Sequence, residues 1–71
     1  MSLRGIFAKN LKHLRTARGL SQESLADAAA IDRTYVSALE REVYSASLDT
    51  VEKLAAALHV EAVELLKVPI N

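Results

Sequence analysis

Ser21-Gln22-Glu23-Ser24-Leu25-Ala26-Asp27-Ala28-Ala29-Ala30-Ile31-Asp32-Arg33-Thr34-Tyr35-Val36-Ser37-Ala38-Leu39-Glu40-Arg41 holds two helix starts in close succession. The Ser21 oxygen can accept from the free backbone amides of a first helix, Gln22 to about Ala29, and Glu23 in its first turn suits the helix dipole. Leu25 and Ala26 then face inward. After Ala30-Ile31, Asp32 supplies a second cap. The helix behind it turns Val36 and Leu39 inward and leaves Arg33, Thr34, Ser37 and Ala38 on another face. Two short helices joined by so few residues, the second with a small polar outer face, form a helix-turn-helix over about residues 21–41. A helix has the width of the DNA major groove, and its N-terminal side chains reach base edges while the preceding helix braces on phosphates.

Working outward, Phe7, Leu11 and Leu14 recur at helical spacing and stop at Gly19, which predicts a first helix over about 4–18 with a basic face in solvent. The segment 42–46 reads as a loop. Ser47 caps a fourth helix whose stripe is Leu48, Val51, Leu54, Ala55 and Leu58, ended by His59. A short fifth helix over about Glu61–Lys67 follows, and Pro69 prevents its continuation. The expectation is one all-α domain of five helices over 1–71, with a core of Leu11, Leu14, Leu25, Ala26, Ile31, Val36, Leu39, Val51, Leu54, Ala55 and Leu58.

Composition narrows the function. Nine Lys and Arg balance nine Asp and Glu in 71 residues, which argues against a non-specific nucleic-acid glue and requires any anion-binding face to be local. The balance hides a gradient: Arg4, Lys9, Lys12, Arg15 and Arg18 face no acid within residues 1–20, whereas acids dominate 21–50. The lack of Cys excludes a disulfide scaffold and a Cys-ligated zinc module, and His13 and His59 stand too far apart to suggest a metal site. No spacing marks an activated nucleophile and no Gly-rich phosphate loop is present, so neither an enzyme nor a cofactor or small-molecule binder is expected. With no membrane span or signal segment, a cytoplasmic location is expected.

Together, Ser21-Gln22-Glu23, Leu25-Ala26, Ile31 through Ser37, Leu39-Glu40-Arg41, Ser47 through Val51, Leu54-Ala55 and Leu58 resemble the Cro and phage-repressor (XRE-like) type of helix-turn-helix domain. The stretch Asp32–Ser37 further resembles controller proteins of restriction-modification systems. The resemblance implies a lambda-repressor-like fold and a transcriptional regulator bound to a double-stranded DNA operator. It also implies a structural pair, Arg15 with Glu40, between helices 1 and 3. The sequence departs from the family where Ala30, Glu42 and His59 replace frequent glycines and Ala46 a frequent proline. A left-handed backbone at such a position costs about 1 kcal/mol.

The candidate DNA-binding residues are Ser21, Gln22, Arg33, Thr34, Tyr35, Ser37, Ala38, Arg41, Tyr44 and Ser45. Arg33 has the planar fork that pairs with guanine O6 and N7, and a cation placed against the helix dipole suggests an external partner. Its rival reading is a solvated arginine. Thr34, Ser37 and Ala38 share that face. Gln22 is assigned to a phosphate mainly through the resemblance, and Ser21 can simply cap. Arg41, Tyr44 and Ser45 follow helix 3, where backbone anchoring competes with a plain solvated loop; Tyr35 is either a sugar-edge contact or an ordinary surface tyrosine. Val63, Leu66 and Ile70 form a second apolar stripe on helix 5, which predicts a homodimer that sets two recognition helices on a palindromic operator. The competing arrangement folds Ile70 back onto its own subunit. A protein-binding module such as an antitoxin is the alternative function.

Overall fold

Four side-chain oxygens start the first four helices. Ser2 Oγ accepts from the Gly5 amide at 3.1 Å, Ser21 Oγ from Ser24 at 3.0 Å, Asp32 Oδ1 from Thr34 at 2.8 Å and Ser47 Oγ from Thr50 at 3.1 Å. Each such cap stabilises its helix by about 1 kcal/mol. The computed structural model describes residues 2–68 and contains α1 (Leu3–Ala17), α2 (Gln22–Ala29), α3 (Arg33–Glu40), α4 (Leu48–Leu58) and α5 (Val63–Leu66). Pro69 and Ile70, to which the fold-back bend and part of the apolar stripe were assigned, lie outside the described residues.

The same four helices share one ending. The amides of Leu20, Ile31, Val43 and Val60 donate to the carbonyls of Arg15, Ala26, Ala38 and Ala55 at 2.9–3.0 Å, five residues back each time. This closure needs a left-handed residue just before the donor. Gly19 supplies it after α1 at φ 69°, but after α2, α3 and α4 the residue is Ala30 at 58°, Glu42 at 63° and His59 at 59°. The three positions where the resemblance places glycine therefore keep the glycine backbone without the glycine, at about 1 kcal/mol each.

Leu11, Leu25, Val36, Leu39, Leu54, Leu58 and Leu65 are fully buried and form the centre of the core, with Phe7, Ala26, Ala29, Val51 and Ala55 around them. Leu14 and Ile31, expected inside, are half-buried against its edge. α1 packs on α3 and α5, and α2 on α3 and α4. Because α1 meets two partners it buries more than one stripe, which brings Ile6 and Ala8 inside as well. Leu48 corrects the expected α4 stripe. At the first helical position it is 80% exposed and borders a shallow groove with Leu3, Phe7 and Leu66 instead of entering the core.

α5 is shorter than the expected 61–67. Ala62 offers no side-chain cap at its start, and Lys67 is already extended. Its far end is held from α1 instead, where the buried Asn10 amide nitrogen donates to the Leu65 carbonyl at 3.0 Å and to the Lys67 carbonyl at 2.7 Å. Carbonyls that a helix end leaves unpaired thus find a donor 55 and 57 residues away. No helix among the described residues is long and apolar enough to cross a membrane.

Candidate nucleic-acid interface

The start of α2 and the start of α3 open onto one side of the molecule. A wide cleft there is lined by Arg15, Ser21, Gln22, Glu23 and Arg33. The structure therefore brings together Ser21, Gln22 and Arg33, which were selected separately in the sequence. Arg33 is exposed, and no ion pair among the described residues includes it. Its neighbour Asp32 is occupied as the α3 cap: the Thr34 hydroxyl donates to Oδ1 at 2.6 Å and the Thr34 amide at 2.8 Å. These two bonds, with the Arg33 charge adding to them, hold the Asp32 carboxyl below the ordinary aspartate range. The Thr34 hydroxyl proton is thereby committed to Asp32, and what Thr34 offers outward is its methyl group and the hydroxyl oxygen as an acceptor.

Behind the cleft lies a nearly buried polar knot. Arg15 Nε donates to Glu40 Oε2 at 2.6 Å and a terminal nitrogen to Oε1 at 3.0 Å, with the two side chains 12% and 4% exposed. The other terminal nitrogen donates to the Leu20 carbonyl at 2.8 Å. The hydrogen bond to Glu40 raises the Arg15 pKa above the ordinary arginine value, burial opposing it in part. Gln22 Nε2 also donates to Glu40 Oε1, at 3.1 Å. The resemblance places Gln22 against a phosphate and often also on the recognition helix; here its amide nitrogen is tied to α3, and its amide oxygen has no hydrogen-bond partner among the described residues. One carboxylate thus locks α1, α2 and α3 in register.

Ser37 and Arg41 meet, with Arg41 Nε donating to Ser37 Oγ at 3.3 Å. Tyr35 and Tyr44 meet as tilted rings whose centroids are 6.4 Å apart. Ser45 accepts from Arg4, a residue that sequence reasoning left out of the site, at 2.9 Å. Ala38 is a correction. By helical phase it belongs to the outer face, but the chain turns back at Glu42 and the Val43 amide bonds to the Ala38 carbonyl. Ala38 is left 4% exposed, without the surface a base contact requires. On α5, Val63 is 56% exposed, while Leu66 is half-buried and packs partly on the core.

The sequence profile described as "Helix-turn-helix" matches residues 11–65. A protein of Neisseria meningitidis serogroup B described as a hypothetical transcription factor is 48% identical over 67 residues, 94% of this chain and 63% of that protein. The chain therefore spans less than two thirds of that relative. The crystal structure of the restriction-modification controller protein C.AhdI from Aeromonas hydrophila superposes with a TM-score of 0.85 at 47% identity, covering 87% of this chain and 94% of the other. The controller protein C.Esp1396I, crystallised as a tetramer with its natural 35 base-pair operator, superposes with a TM-score of 0.83 at 29% identity, covering 94% and 99%.

Proposed function

The chain belongs to the helix-turn-helix family, and from that premise we propose that it is a transcriptional regulator that binds a palindromic DNA operator as a homodimer and controls restriction-modification genes. Its role is regulatory, with no catalytic step, and it acts in the cytoplasm where that DNA is. The observation that carries this reading is Arg33: an exposed guanidinium at the start of α3, in no ion pair among the described residues, on a cleft shared with the start of α2. Arg33 reads a base edge, with Thr34 and Ser37 beside it. Ser21 and Gln22 meet one strand of the backbone, Tyr35, Arg41 and Tyr44 anchor the other end of α3, and Ser45 acts there through the side chain it holds.

Selection from a random DNA pool tests the reading by revealing the enriched site and its symmetry. On that site Arg33→Ala is expected to cost about 1–3 kcal/mol and to relax preference at one position, whereas a lost phosphate contact weakens all sequences alike. Titrations in which the variant keeps both affinity and preference reject the assignment.

The dimer is assigned to α5. Val63 is 56% exposed there, and Leu66 beside it on the same short helix is only half-buried. Such a surface gains by pairing with a second copy, and a small domain gains stability with it. Val63→Glu is the cleaner probe, because Leu66 also supports the core. It should give a folded monomer by sedimentation that loses tight binding to the paired site; a dimer of unchanged sedimentation coefficient rejects the surface.

A further inference from the structure

Arg4 stands in the first turn of α1, far in sequence from the helix-turn-helix, yet its Nε donates to Ser45 Oγ at 2.9 Å in the loop that follows α3. No ion pair among the described residues includes Arg4. The nearby carboxylate, Glu42, sits over Gly5, its Oε1 3.2 Å from where a Cβ on that glycine would stand, and makes no ion pair with Arg4. Fixing a guanidinium through Nε engages its side edge and leaves the end-on pair of N–H groups on the two terminal nitrogens directed away from the anchor. Arg41 is held in the same way at the end of α3, by Ser37. Two serine-anchored arginines thus flank the turn out of the recognition helix, each with its fork unspent.

We propose that Arg4 is a phosphate-binding residue of the DNA interface, positioned by Ser45. The inference rests on the DNA-binding reading above and extends the interface beyond the helix-turn-helix to the first turn of α1. An uncompensated cation on a side chain whose rotamers are already restricted loses little freedom on meeting a phosphate oxygen. A guanidinium fork matches that group bidentately. Arg4 gives affinity and register, not sequence preference.

The test uses two labelled duplexes of equal length, the sequence enriched from the random pool and a scrambled one, titrated by fluorescence anisotropy at several salt concentrations. Arg4→Met should reduce the slope of log affinity against log salt by about 0.9 per protomer. At 0.1 M salt this corresponds to roughly tenfold weaker binding per protomer, on both duplexes alike. Ser45→Ala should keep the slope and weaken binding about threefold through the freed Arg4 side chain. The Arg4→Met/Ser45→Ala double variant should match Arg4→Met alone, as coupled groups do. Arg4→Gln, neutral but still able to bond Ser45, gives a second reading of the slope if the methionine variant does not fold. A folded neutral variant with wild-type slope overturns the proposal. So does a loss confined to the enriched duplex, or losses at Arg4 and Ser45 that simply add. If the wild-type protein enriches no sequence, the DNA-binding reading falls and this inference with it. If the wild type binds and the neutral variants are indistinguishable from it, only the role of Arg4 falls.

Discussion

Val36→Asp is expected to leave the domain largely unfolded at neutral pH. Val36 is fully buried at the centre of the core, where α3 meets its neighbours. Aspartate there loses the apolar burial of valine, about 1.5–3 kcal/mol, and adds the cost of a carboxylate with no partner, several kcal/mol more. A domain of this size has on the order of 4–10 kcal/mol in total. The loss therefore consumes most or all of the margin. Circular dichroism at 222 nm with a denaturant titration checks this, with Val36→Ala as a control expected to stay folded. A cooperative transition at the wild-type midpoint for Val36→Asp contradicts the placement of α3.

The second large effect is expected at the knot beneath the cleft. Arg15→Met leaves the Glu40 carboxylate, 4% exposed, with Gln22 as its remaining side-chain partner, and should cost about 3–5 kcal/mol. Replacing both charges, Arg15→Met with Glu40→Leu, should cost less than either single change, because no buried charge is then stranded. Chemical denaturation of the four proteins in the cycle measures the coupling. Additive losses would reject the coupling of the pair. The second corner of the cycle carries a further readout, since Glu40→Leu also frees the Gln22 amide that it holds at the start of α2.

Local signals in the sequence were strong where the structural cause is local. Ser21, Asp32 and Ser47 each cap the helix they were assigned to, and Leu25, Val36, Leu39, Leu54 and Leu58 are buried at the spacing that predicted them. Ala30, Glu42 and His59 could be singled out only through the resemblance, because nothing in alanine, glutamate or histidine announces a left-handed backbone. What escaped was set by distant chain. Ala38 has the right helical phase for the outer face and is covered by a turn closed after α3. Leu48 has the right phase for the core but stands at the first helical position, on the rim of an open groove rather than over the core. Arg4 and Asn10 find their partners 41 and 55 residues away, and no periodicity encodes such a meeting.

The bond from Asn10 to the end of α5 also bears on when the domain can form. Ribosomes add about 5–20 residues per second, so the Leu65 and Lys67 carbonyls, 55 and 57 residues downstream of Asn10, emerge several seconds after it. Through that interval the α1 face carrying Phe7 and Leu11 lacks the Leu65 side that closes it. The nascent chain therefore passes through a window in which the segment of α1 is available but lacks the contacts that complete it. The recognition helix, which leans on that same α1 through Arg15, acquires its final footing only when the last helix arrives.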